Sequence, residues 1–382
     1  MSVRRGLLVN AAMAAAAASL AWGCALIAGL EDRTATETTS TSSGTAGGGN
    51  GGTGAGGAGG STSSGGGAGG GSCLPPTTQP EAIVTGQKTP TVIVADGSGV
   101  YWATEGTGPD DFGIWKLETP CGAAVKIAKL EQRKPIAIAA DGAHVYWSES
   151  GEGVLPICMG TPNPPDSGRD RIMRVAKNSP VDELPVDFVY GMCGQATSIA
   201  LGGDRVYWTR PSVNRVQAVH KETFGYLLVW YDPHSRPQSI VAGLSGTYWS
   251  DPEMQIIQHY DGNMPPEVLV QSAGAASHIT MDDHAIYWTA GVELRKVELD
   301  APGTIVPIYS SILAAAGIVT DAAATAVYIA DTSAAAIVKV PKDGADHETI
   351  PTHQTAPGGV ALDDTYVYWT QSATGEIWRA PR

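Results

Sequence analysis

Side chains able to move a proton or hold a polar ligand recur at one place in this sequence. Three residues after each of a series of tyrosines stand Glu149, Arg210, Asp251, Asp331 and Gln371, with His278 and Ser239 just ahead of Ile279 and Ile240. A mixed ring of carboxylate, guanidinium, amide and imidazole can bind a small polar ligand or a protein loop. Two acid-base groups among Glu149, Asp251, Asp331 and His278 would instead serve a lyase or hydrolase, if both reached one substrate atom. The bland alternative is that such residues begin loops and hydrogen-bond locally. No His-Glu-x-x-His, Gly-x-Ser-x-Gly, Cys-x-x-Cys or EF-hand pattern occurs. The eight histidines are scattered without metal-ligand spacing, so no metal and no cofactor is expected. Asp282-Asp283-His284 resembles a ligand cluster, but the equivalent turns read Asp96-Gly97, Asp141-Gly142 and Asp363-Asp364, which is turn chemistry.

The elements that position these residues follow from a repeat. Ten Trp and 13 Tyr accompany only 3 Phe, and most of them fall in one dipeptide. It appears as Tyr101-Trp102, Tyr146-Trp147, Tyr207-Trp208, Tyr248-Trp249, Tyr287-Trp288 and Tyr368-Trp369, with Tyr328-Ile329 as a variant. Successive tyrosines are 45, 61, 41, 39, 41 and 40 residues apart, the length of a propeller blade. Eight residues before the tyrosine stands Ile93, Ile138, Ile199, Ile240, Ile279 or Val360, and Ile318 stands ten before in the sixth unit. A turn separates that strand from the Tyr-Trp strand. A third strand follows, as in Ile114-Trp115-Lys116-Leu117 and Ile377-Trp378-Arg379-Ala380, and a fourth as in Val125-Lys126-Ile127-Ala128. Four antiparallel strands repeated seven times predict an all-β, seven-bladed β-propeller. Adjacent aromatics suit a blade packed on both faces, because neighbouring strand residues point to opposite sides.

The last repeat stops after its third strand at Arg382, while Glu81-Ala82-Ile83-Val84 upstream reads like a fourth strand. The N-terminal segment is therefore expected to close the ring and remove its exposed edges. Lys116, Arg174, Lys296, Lys339 and Arg379 recur in the third strands, with stems expected to run along the blade edge. The 61-residue unit carries a long insertion, Glu149 to Asp170, on the face of the polar ring, where long loops often serve recognition.

Val145-Tyr146-Trp147-Ser148, Val206-Tyr207-Trp208-Thr209, Ile286-Tyr287-Trp288-Thr289 and Val367-Tyr368-Trp369-Thr370 resemble the YWTD class of β-propeller repeats and the exported bacterial propellers that share them. The resemblance spans roughly residues 80 to 382 and implies the fold. Receptor-type members have six blades against seven here, and Asp fills the fourth motif position only at Asp251 and Asp331. The resemblance therefore does not carry receptor-style ligand binding across.

Arg4-Arg5 and the apolar run from Gly6 to Trp22 have the layout of an export signal. Gly23-Cys24 resembles a bacterial lipobox, with Ala21 where Leu is usual. An ordinary cleaved signal and an uncleaved anchor are the alternatives. Residues 44 to 72 hold 17 of the 48 glycines, so the stretch buries too little apolar surface to fold. The expected organisation is a signal peptide (1–23), a lipidated tether (24–79) and the propeller (80–382). The roughly 49 residues from Cys24 to Cys73 would span about 35–42 Å as a coil. The net charge of −14 argues against nucleic acid. Lipidation at Cys24 leaves four cysteines for an oxidising compartment. Topology pairs Cys73 with Cys121 and Cys158 with Cys193, since the other pairings would cross the height of a blade. The expected protein is an exported, envelope-tethered binding or scaffold module for a protein or small polar ligand, a propeller enzyme being the alternative. Radioactive palmitate should label the mature protein, and Cys24→Ala should remove the label; an unlabelled wild type would refute lipidation.

Overall fold

The computed structural model describes residues 77–382, except 109, 120–121, 131–132, 151–169, 181–184, 193 and 353–355. Residues 1–76, residues 151–169 of the insertion and all five cysteines lie outside the described residues, and with them the lipidation and disulfide expectations. Among the described residues, 28 strands form seven four-stranded antiparallel sheets. Blade one comprises β2 (Pro90–Asp96), β3 (Gly99–Thr104), β4 (Gly113–Leu117) and β5 (Val125–Lys129). Blade two comprises β6 (Lys134–Ala140), β7 (His144–Ser150), β8 (Asp170–Ala176) and β9 (Val186–Met192). Blade three comprises β10 (Ser198–Gly202), β11 (Arg205–Arg210), β12 (Arg215–His220) and β13 (Tyr226–Tyr231). Blades four, five and six run from β14 (Ile240–Gly243) to β17 (Glu267–Val270), from β18 (Ala276–Met281) to β21 (Val306–Tyr309), and from β22 (Ala315–Val319) to β25 (Glu348–Pro351).

The register explains the repeated residues. Each inner-strand Ile or Val lies directly across from the motif Trp, as in Ile93 with Trp102, Ile199 with Trp208 and Val360 with Trp369. All six motif tryptophans and Ile329 are completely buried. Because Tyr and Trp are adjacent in an extended strand, one faces the preceding blade and the other the following blade, and both interfaces become apolar. Hydroxyls at the next motif position fasten neighbouring blades. Ser148, Thr209 and Thr370 donate to the carbonyls of Ala196, Gln238 and Thr91 in the following blade, at 2.9, 2.7 and 2.8 Å.

Blade seven has the order β1-β28-β27-β26, from β1 (Glu81–Val84), β28 (Glu376–Pro381), β27 (Tyr366–Gln371) and β26 (Val360–Leu362). The N-terminal strand thus supplies the missing outer strand, with Glu81 across from Arg379. Arg379 is only 1% exposed. Its Nη2 and Nε donate to Glu81 Oε1 at 2.6 and 2.8 Å, and the Tyr366 ring lies 4.3 Å from the guanidinium carbon. Of the third-strand bases Arg379 alone is fully buried, its head paired with Glu81, whereas Lys116, Arg174, Lys296 and Lys339 are half-buried.

Deleting residues 80–88 should remove that strand and leave Arg379 without its carboxylate. Stranding a buried charge costs at least about 3 kcal/mol, which for a domain of about 300 residues lowers Tm by roughly 5 °C or more. Deleting 34–72 should leave Tm nearly unchanged. Calorimetry on both variants checks this, and equal Tm values would refute the closure argument.

Candidate functional site

Every blade has two ends. The upper end carries the turns between second and third strands and the links into the next inner strand; the lower end carries the other turns. The six sequence-predicted site residues lie toward the upper end, but all except His278 are buried.

Their partners reveal a shared geometry. Asp251 accepts from the Ser235 hydroxyl at 2.5 Å and the Arg236 amide at 2.9 Å in the link entering its blade, and from the Met254 amide at 3.0 Å in its own turn. Asp331 accepts four backbone amides divided in the same way, those of Leu313 and Ala314 in the link and of Ser333 and Ala334 in the turn. Gln371 donates to the Thr352 carbonyl at 2.8 Å, and Arg210 donates through Nε to the Gly194 carbonyl at 3.1 Å. Glu149 accepts from the Trp147 indole at 2.8 Å and from Arg171 Nε at 3.1 Å. Burial pushes its carboxyl above the usual range, against the pull of Trp147 and Arg171. Acid, base and amide do one job at this position, fastening the incoming link or an indole to the blade. The half-buried His278 lies beside Ser277 Oγ and Thr289 Oγ1, with Nδ1 at 3.2 and 3.4 Å. Ser239 Oγ accepts the Ile279 amide of the neighbouring blade at 3.2 Å. Each carboxylate is therefore bonded within its own blade or to the link entering it.

A second set of fasteners at the lower end was not foreseen. The aspartate of a first turn accepts the motif tyrosine hydroxyl, as Asp282 does from Tyr287 at 3.0 Å and Asp363 from Tyr368 at 2.6 Å. A base from the following blade meets the first-turn aspartate in four of the interfaces, two of these aspartates, Asp141 and Asp282, also accepting the tyrosine hydroxyl. The pairs are Lys177 with Asp96, Lys221 with Asp141 at 3.1 Å, Lys342 with Asp282 at 2.7 Å and Arg382 with Asp321 at 2.8 Å. Each base lies three residues after the residue paired with its own tyrosine. That spacing is visible in the sequence, but the partner is about 60–80 residues upstream in a different repeat. Burial pushes the tyrosine hydroxyls up, Tyr101 and Tyr328 to about 12. Burial would raise Asp282 as well, but the Lys342 ammonium and the amides of His284 and Ala285 bring it below the usual carboxylate range.

The rim holds the feature least like its repeats. Outer strands are sheet edges, and six of them carry a charge or a proline: Glu81, Lys126, Asp187, Glu267, Pro307 and Glu348. Such residues block pairing by a further strand. The strand β13, Tyr-Leu-Leu-Val-Trp-Tyr, carries neither. Its Tyr226, Leu228 and Tyr231 are 56%, 39% and 45% exposed, and Val186, Tyr190 and Phe224 are exposed nearby. Phe224 packs on Phe188 of blade two, with the Arg174 guanidinium 5.0 and 5.2 Å from the two rings. The uninterrupted apolar run at an outer-strand position was the available sequence signal. A depression on the lower face of blade five, lined by Asp283, His284, Glu298, Leu299 and Asp300, is acidic, and no group of three potential metal ligands occurs among the described residues.

No protein-family model matches the sequence, and no curated protein matches it as a relative. Among solved structures, the ring is similar to virginiamycin B lyase from Staphylococcus aureus, with a TM-score of 0.60 at 14% identity over 79% of this chain and 97% of that one. A streptogramin B lyase gives 0.60 at 13% identity, over 78% and 96% of the two chains. The WD40 β-propeller domain of Doa1 gives 0.57 at 10%, over 79% and 97%. At these identities the likeness is one of fold.

Asp282→Asn should cost roughly 1.5–3 kcal/mol at pH 7, the worth of hydrogen bonds to a charged group. Because the folded carboxyl is depressed, its contribution is complete above the unfolded value near pH 4 and disappears as pH falls through the folded one. Wild-type and variant Tm values should therefore converge in acid. A gap that does not narrow at all as the pH is lowered from 7 into acid would refute the ionic role.

Proposed function

We propose that the chain is a binding propeller that takes an extended, carboxylate-bearing segment of a protein partner onto the outer edge of blade three. The contrast among the seven outer strands carries this reading, because β13 alone lacks a charge or a proline. An unblocked edge offers its backbone amides and carbonyls to an added strand, while exposed aromatics beside it supply contact area. Arg215, at the upper end of that blade, is buried without a carboxylate partner among the described residues, which favours an anionic segment. A second copy of this chain fits less well, since two bodies of net charge −14 repel.

A lyase or hydrolase at the upper face would need two acid-base groups within reach of one atom. Glu149, Asp251 and Asp331 are each bonded within their own blade or to the link entering it, and His278 lies beside Ser277 and Thr289, so these groups are engaged in local contacts. Export and anchoring through Cys24 complete the proposal, supported by the N-terminal sequence: a lipid-anchored ring on a Gly/Ser/Thr-rich tether outside the cytoplasm, its rim presented to an envelope partner.

Selection of displayed nine-residue peptides against the propeller tests the reading. Recovered peptides should be apolar and carry a carboxylate, slow amide exchange along β13, and bind Leu228→Lys at least tenfold more weakly. Peptides that bind both proteins equally and leave β13 exchange unchanged would overturn it.

A further inference from the structure

Blades two and three differ at a pair of facing positions, and several buried hydrogen-bond donors of blade three have no acceptor among the described residues. In blade two the residue three after the tyrosine is Glu149, directly across from Arg171. Its two carboxylate oxygens divide the work, one accepting the Trp147 indole N–H and the other Arg171 Nε. In blade three the same two positions hold Arg210 and Arg215, again directly opposite, with Trp208 across from Gln217 on the same face. Gln217 Oε1 accepts from Arg210 Nη1 at 2.8 Å. The enclosed Trp208 Nε1 and Arg215 Nε then have no acceptor among the described residues.

Arg215 is the sharper anomaly. It is 6% exposed and has no ion pair among the described residues, and the Tyr231 ring stands 5.5 Å from its guanidinium carbon. A buried charge without a counter-charge is among the costliest arrangements in a folded chain, and like charges directly across a strand pair add to the cost. Of the other motif indoles only Trp369 Nε1 also has no acceptor among the described residues, and there no unpaired guanidinium lies beside it. Trp102 donates to Gln87 Oε1 at 3.1 Å, Trp249 to Gln258 Oε1 at 2.8 Å and Trp288 to the Ala273 carbonyl at 2.9 Å.

We infer that blade three contains a carboxylate subsite, in which an external carboxylate accepts from Trp208 Nε1 and Arg215 Nε, as Glu149 accepts from Trp147 and Arg171 in blade two. Two planar oxygens facing an indole and a guanidinium match a carboxylate, and the arrangement is already realised once in this ring. The half-exposed Tyr231 ends β13 and stacks over Arg215, so the subsite adjoins the unblocked edge. The subsite stands on these donors alone; its being filled by a protein segment rests on the function proposed above.

The test is a titration of the propeller followed by the indole signal of Trp208 and the Nε–H signal of Arg215, assigned with Trp208→Phe and Arg215→Lys. The probes are sodium acetate, sodium chloride at equal ionic strength, and an apolar tripeptide with a free C-terminal carboxylate or its amide. Acetate should shift both signals saturably and chloride should not. The tripeptide should bind at least tenfold more tightly than acetate, and its amide should lose that gain. Arg210→Glu should supply the carboxylate from within, abolishing the acetate response while raising Tm. If that variant fails to fold, Arg215→Gln should abolish the response at Trp208. Signals unmoved by acetate and tripeptide, equal shifts with chloride, or a response that survives Arg210→Glu or Arg215→Gln would overturn the subsite. A saturable acetate response with no tighter binding of the tripeptide would keep the subsite and overturn the peptide reading.

Discussion

A blade of this ring is apolar on both faces, and that constraint governs the rest of the structure. Trp102 and Tyr101, or their counterparts in the other repeats, leave a strand on opposite sides, so no blade is covered until it has a neighbour on each side. An open row would expose an aromatic face at each end. Closure is therefore a condition of solubility as much as of stability, and the chain meets it by lending its first strand to its last blade. The Glu81–Arg379 pair and the hydrogen bond from Thr370 to the Thr91 carbonyl hold that junction, joining residues nearly 300 apart in sequence.

Around this apolar core the polar residues are arranged by height. At the upper end, Asp251, Asp331, Arg210 and Gln371 each tie an incoming link to a blade. At the lower end, a tyrosine hydroxyl, a turn aspartate and a base from the next blade form a chain across the interface, most fully at Tyr287, Asp282 and Lys342. Buried polar groups must find partners, and here the partners are loops and neighbouring blades. That distribution engages most of these side chains in holding loops and blades together, and the rim is where the repeats differ most.

Blade three departs from its neighbours twice in one small region. Its outer strand lacks the charge or proline found in the other six, and its upper end has a guanidinium where blade two has a carboxylate. Both departures are unfavourable for an isolated domain, one through the hazard of edge pairing and the other through an uncompensated charge. An extended anionic segment would relieve both at once, which is why the two features are read together.

How much of this was legible in the residues depends on whether the information was local. The spacing of the tyrosines, the isoleucine eight residues ahead and the missing fourth strand identified seven blades and their closure, because strand period and repeat length are properties of a contiguous stretch. Burial of each Tyr-Trp pair followed for the same reason. The position three after the tyrosine was equally visible, yet its role was not: Asp331 reads identically whether it faces solvent or accepts four backbone amides from two loops. The pairing of Lys342 with Asp282 and the isolation of Arg215 were likewise beyond reach, since each depends on which side chains the closed ring brings together from different strands or repeats. Repeat spacing is written along the chain, whereas the satisfaction of a buried charge is decided only when distant segments meet.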